Sequence, residues 1–86
     1  MYTILLSNHA RKALGKLERL VQERIVVALD LLKSDPRPPK AVKLRGEVDV
    51  WRIRVGDYRI LYEVIDNELV VWIVRIANRK DIYRKK

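Results

Sequence analysis

Arg52 and Arg54 alternate with apolar residues in one segment, and Arg59 does so in the next, the two meeting at Gly56-Asp57. Alternation of this kind marks strands with one buried face. Glycine at the first of two loop positions suits a type II′ hairpin turn. With Gly56 and Asp57 as the loop, Val55 faces Tyr58, Arg54 faces Arg59, Ile53 faces Ile60 and Arg52 faces Leu61. Trp51, Ile53, Val55, Tyr58, Ile60 and Tyr62 then share one face, and Arg52, Arg54 and Arg59 share the other. Guanidinium groups stay charged and donate paired hydrogen bonds that match phosphate oxygens, so Arg54 and Arg59 form a candidate phosphate clamp, extended along the strand by Arg52. The alternative is that these arginines are solvated residues of a half-buried sheet, held by neighbours such as Glu63.

Further basic residues flank this strip. Lys43 and Arg45 precede it, and Arg79 and Lys80 follow in a basic tail that also contains Tyr83. Arg79 and Tyr83 are four apart, so a short helix or turn would aim both the same way. Tyr83 could stack on a base, move a proton, or simply anchor the tail by packing. His9 lies far from the arginines in sequence and reads as a surface or capping residue. Glu47, Asp49, Asp57 and Glu63 have neither the number nor the spacing of a metal site, and no cofactor is implied.

The chain has 19 Lys and Arg against 11 Asp and Glu, a formal charge of +8 on 86 residues. Such an excess attracts polyanions, either nucleic acid or an acidic protein partner. Basic residues recur inside the strand-like segments, where solubility alone would not require them. Cysteine is absent, which excludes disulfides and thiolate metal sites and is compatible with a reducing compartment. Met1 to Leu6 is too short an apolar run for a signal peptide or membrane span, so a cytoplasmic protein is expected, with no membrane contact.

The elements that must position these residues are legible in outline. Residues 1–86 are expected to form a single domain. Tyr2 to Leu6 predicts a first strand, with Ser7 or Asn8 capping the helix that follows. Ala10, Ala13, Leu14 and Leu17 form one helical stripe, and Val21, Ile25, Ala28, Leu29 and Leu32 form a second. A helical hairpin breaking between Leu17 and Gln22 is expected, one long bent helix being the alternative. Asp35-Pro36-Arg37-Pro38-Pro39 ends the second helix. Val48 to Val55, Tyr58 to Ile65 and Leu69 to Ile76 predict three strands, with a reversal at Asp66-Asn67. The fold class is α+β: two N-terminal helices packed on a mostly antiparallel sheet of about four strands.

The run from Lys43-Leu44-Arg45-Gly46 through Trp51-Arg52-Ile53-Arg54-Val55-Gly56-Asp57-Tyr58-Arg59-Ile60-Leu61-Tyr62 to Asn78-Arg79 and Tyr83 resembles the RelE/ParE superfamily of toxins from type II toxin-antitoxin systems. The resemblance spans nearly the whole chain and is nearest to the RelE branch. It implies a small α+β microtoxin that acts as an mRNA interferase, cutting messenger RNA in the ribosomal A site and so inhibiting translation. It also implies a small antitoxin partner that wraps the toxin, through which alone operator DNA would be reached. Matched by motif position, the catalytic basic pair falls on Arg52 and Arg54, the phosphate-binding arginines on Arg59 and Arg79, and the C-terminal tyrosine on Tyr83. Lys43, Arg45 and Lys80 would extend the RNA-binding surface. The best-known RelE members carry lysine where this chain has Arg52 and Arg54; arginine keeps the electrostatic stabilisation but is a poor proton acceptor. In the ParE branch the same scaffold is expected to poison DNA gyrase without cutting RNA, and a folded, inactive antitoxin-binding relative is a third reading.

Overall fold

The computed structural model describes residues 1–44, 46 and 49–79. Their element order is β1 (Thr3–Leu6), α1 (Asn8–Gly15), α2 (Arg19–Ser34), β2 (Val42–Lys43), β3 (Val50–Val55), β4 (Tyr58–Ile65) and β5 (Val70–Asn78), with a 3-10 turn at Asp66–Glu68. The strands form one sheet in the order β1-β5-β4-β3-β2. The β1 strand runs parallel to β5, and the remaining neighbours are antiparallel. The count is five rather than about four because the two-residue β2 joins the edge beside β3.

Ser7 is the N-cap of α1: its hydroxyl accepts the Ala10 N–H at 3.0 Å and donates to the Val74 carbonyl at 2.7 Å. The cap therefore fixes both the start of the helix and its seat beside β5. The break between helices spans Lys16 to Glu18, which overlaps the expected Leu17 to Gln22 window and opens one residue before it. The Gln22 side-chain amide donates to the Leu14 carbonyl at 2.9 Å and satisfies the end of α1 from the next helix.

Both helices cover one face of the sheet. Ala10, Ile25, Leu29 and Leu32 are buried against Ile53, Ile60, Tyr62, Val64, Val71, Ile73 and Ile76. Ala13, Leu14, Leu17, Val21 and Ala28 pack around this cluster, so both helical stripes face the core as their spacing requires. The buried phenol of Tyr62 donates to the Pro36 carbonyl at 2.7 Å and ties the proline-rich connector to the sheet. The same connector is held from outside by Arg37, which pairs with Asp49 before β3 and with Asp66 after β4, the latter at 2.7 Å. Trp51 donates its indole N–H to Asp49, and Tyr2 donates its phenol to Asp66, so five residues from four parts of the chain close one polar clasp. Among the described residues no helix is long and apolar enough to cross a membrane.

Candidate functional site

The hairpin between β3 and β4 decides where the arginines go. Gly56 has φ +61° and Asp57 has no positive φ, the pattern of a type II′ turn. The observed register pairs Val55 with Tyr58, Arg54 with Arg59, Ile53 with Ile60 and Arg52 with Leu61. Arg52, Arg54 and Arg59 accordingly share the face turned away from the helices. Residues directly opposite on one face have Cβ atoms about 4.5–5.5 Å apart, and Arg52 follows Arg54 at about 7 Å along β3. Arg52 and Arg54 make no ion pair or side-chain hydrogen bond among the described residues.

Arg79 meets the same end of the hairpin from the other side. Its backbone N–H donates to the Asp57 carbonyl at 2.7 Å, which brings the end of β5 beside the turn and the Arg54–Arg59 row. Glu63 lies opposite Val50 and Trp72, farther along the face. It makes no ion pair among the described residues, so it does not hold an arginine as expected for a merely solvated strip.

Lys43 is not brought to this face. It pairs with Trp51, whose ring packs on the helix side, because the period of two along β2 leaves Val42 rather than Lys43 beside Arg52. Arg45, Lys80 and Tyr83 lie outside the described residues. His9 is exposed on α1, on the side of the sheet that the helices cover, and does not join Arg52 and Arg54.

One arginine of the face was missed. Between β4 and β5 the register shifts: Tyr62 pairs with Ile73 but Leu61 pairs with Arg75, leaving Val74 as the extra residue of a β-bulge. In an unbroken ladder Val74 would oppose Leu61 and Arg75 would oppose Ile60, in the core. The bulge turns Arg75 outward instead, in the same cross-strand row as Arg52 and Leu61. The sequence signal is the order Val74-Arg75-Ile76, which breaks simple alternation if Arg75 is read as part of a regular strand.

The electrostatics of the two faces differ. The Arg37 clasp neutralises its cation with two carboxylates and holds both Asp49 and Asp66 below the ordinary carboxylate range, chiefly through the hydrogen bonds from Arg37. On the arginine face, positive charges stand opposite one another, and among the described residues no carboxylate is paired to Arg52 or Arg54. Such an array is suited to binding a phosphodiester and stabilising charge that grows on its oxygens. Among the described residues no three His, Cys, Asp or Glu side chains gather as a candidate metal site.

This architecture has known counterparts. The family of ParE toxins of type II toxin-antitoxin systems matches residues 4–83. A putative RelE-like toxin protein of Escherichia coli is 31% identical over 86 residues, covering 95% of this chain and 90% of the relative. The mRNA interferase toxin RelE of Escherichia coli K12 is 32% identical over 81 residues, covering 92% and 84%. The crystal structure of the intact Escherichia coli RelBE toxin-antitoxin complex contains a chain that superposes with a TM-score of 0.81 at 30% identity, covering 91% of this chain and 96% of that one. The two helices on a mostly antiparallel sheet, the hairpin with its arginines and the near full-length match together show that this chain belongs to the ParE toxin family, as a RelE-like toxin component of a type II toxin-antitoxin system.

Proposed function

We propose that the arginine face binds the backbone of messenger RNA and cleaves it, with the ribosome presenting the strand. The observation that carries this reading is the placement of Arg54 opposite Arg59, with Arg52 beside them, on the face that the helices leave uncovered. Kinship with an mRNA interferase supports a ribonuclease-type toxin activity on the same scaffold.

RNA carries its own nucleophile, the ribose 2′-hydroxyl. Cleavage then needs that oxygen in line with phosphorus, charge stabilisation on the non-bridging oxygens, and departure of the 5′-oxygen. In the proposed division of labour Arg59 and Arg79 grip the phosphate, Arg54 stabilises the developing charge, and Arg52 orients the nucleophile or the leaving group. Tyr83 stacks on the base or supplies a proton to the leaving oxygen. The bond from the 2′-oxygen to phosphorus forms as the bond to the 5′-oxygen breaks; the 2′ proton passes to solvent or a ribosomal group, and the 5′-oxygen leaves protonated. The products are a 2′,3′-cyclic phosphate and a 5′-hydroxyl end, made without a metal.

Arginines are poor proton acceptors, so this apparatus is strong in electrostatics and weak in proton transfer. Slow cleavage of free RNA and fast cleavage on the ribosome follow, because the ribosome can hold the A-site strand near its in-line geometry. The cognate antitoxin would silence the toxin by laying carboxylates over the arginine face and apolar side chains along an exposed groove. The match to ParE toxins favours a second reading, inhibition of DNA gyrase by binding. Purified chain incubated with programmed ribosomes in magnesium buffer, beside a gyrase supercoiling assay, separates the two. A-site cleavage leaving 5′-hydroxyl ends supports the proposal; intact messenger with blocked supercoiling overturns it.

A further inference from the structure

The molecule has a second cationic surface that the cleavage reading does not use. Ser7 seats α1 along β5, and β1 pairs with β5 only as far as Ile73. Beyond that point β5 continues to Asn78 with α1 alongside, and a groove of about 480 Å³ lies between them. His9 and Lys12 line it from α1, Lys16 from the C-cap of that helix, and Arg75 from β5. Leu17 and Ile76 contribute to an apolar floor, with the Tyr58 ring in the same wall.

Two features mark this groove as built for an anion. Among the described residues no carboxylate lines it, and neither Lys12, Lys16 nor Arg75 makes an ion pair or side-chain hydrogen bond. By contrast, Arg19, Lys33 and Arg37 each hold a carboxylate. Like charges gathered in a concave, partly apolar wall focus a positive potential outward and repel one another until an anion arrives. Lys12 and Lys16 are also separated by about 6 Å along the helix axis, a spacing on the scale of successive phosphates in an extended single strand.

The groove is continuous with the arginine face through Arg75. The bulge at Val74 sets Arg75 in the row of Leu61 and Arg52, while the same residue lines the groove. A strand whose scissile phosphate lies over Arg54 and Arg59 can therefore pass the sheet edge at Arg75 and enter the groove. We propose that this groove is a second RNA subsite, in which Lys12, Lys16 and Arg75 hold the backbone of a flanking single-stranded segment and Tyr58 and the apolar floor receive a base or sugar. The subsite rests on the reading of the arginine face as an RNA-binding surface, but it is tested without cleavage.

The probe is a short fluorescein-labelled single strand of 2′-O-methyl RNA, which cannot be cut because its 2′ oxygens are blocked. Its affinity for the full chain is measured by anisotropy across a salt series, with circular dichroism as the check on folding. Changing Lys12→Gln and Lys16→Gln together should weaken binding roughly tenfold at about 0.1 M salt and lower the slope of log affinity against log salt by about 1.4, at some 0.7 for each phosphate no longer neutralised. Lys12→Arg with Lys16→Arg should restore both. Affinity of the folded glutamine variant within about a factor of two of wild type, with an unchanged slope, overturns the subsite. So does a groove that binds polyglutamate in a lysine-dependent way which the RNA probe cannot displace, since that outcome assigns it to an acidic protein segment. Arg54→Gln with Arg59→Gln is measured in parallel: if it alone leaves ribosomal cleavage intact, the cleavage reading fails while the lysine-dependent slope still stands.

Discussion

Arg54 and Arg59 stand directly opposite each other across the β3–β4 hairpin, on the face the helices do not cover. Like charges directly opposite each other repel across a sheet. Arg54→Ala should leave the thermal midpoint unchanged or raise it, by the equivalent of about 0.2–1 kcal/mol. A calorimetric scan showing a lower midpoint would mean that Arg54 is a structural residue.

The clamp depends on the turn that sets the register. Gly56 adopts φ +61°, a left-handed conformation in which a side chain is strained, and the nearest atom to an added Cβ, a guanidinium nitrogen of Arg24, is 3.8 Å away. The cost of Gly56→Ala is therefore conformational rather than steric, about 1–2 kcal/mol. Urea denaturation should show that loss, and Gly56→Asn should lose less, because asparagine tolerates this region better.

Tyr62 is fully buried and its hydroxyl holds the Pro36 carbonyl at 2.7 Å. Tyr62→Phe should cost about 1–2 kcal/mol while leaving the fold intact, since it leaves a carbonyl without its donor. Burial also pushes the phenol up to about 12. With the folded value raised above the unfolded value near 10, the stability this group contributes is complete below pH 10 and is lost as pH rises through the folded value. The wild type should lose stability over that alkaline window, and Tyr62→Phe should flatten that part of the profile. A phenylalanine variant with an unchanged alkaline slope would assign the loss to other groups.

The Arg37 clasp has the opposite pH signature. Asp49 and Asp66 are held below their ordinary range by Arg37, with Tyr2 also bonded to Asp66. Folded values that are depressed contribute stability above the ordinary carboxylate pKa near 3.9, and it is lost as pH falls through the folded values. Denaturation midpoints should therefore drop in acid below about pH 4, and Arg37→Gln should both lower the neutral-pH midpoint and blunt the acid loss. Equal acid slopes in the two proteins would show that the clasp does not set the acid limit.

The parts of this structure written by local rules were legible in the sequence. Gly56-Asp57 between alternating segments specified a two-residue turn, and that turn determined the Arg54–Arg59 pairing residue by residue. The apolar stripes through Ile25, Leu29 and Leu32 likewise marked the buried side of α2. What escaped depended on distant partners. The hydrogen bond by which Gln22 reaches back to Leu14 is a contact between helices that neither stripe announces. Arg75 escaped because the Val74 bulge is a mismatch between two strands, invisible from either alone. Lys43 shares the charge of the arginines, whereas its face is decided by the pairing of β2 with Trp51.

Cleavage by the arginine face is tested most directly by the single-turnover rate of A-site messenger cutting on programmed ribosomes, for wild type and for Arg54→Ala with Arg59→Ala. Loss of charge stabilisation at the scissile phosphate predicts a drop on the order of 10²–10³-fold or more in the double variant, with its circular dichroism melt intact and the wild-type product ending in a 2′,3′-cyclic phosphate. A folded double variant that cuts at the wild-type rate would contradict catalysis by these arginines.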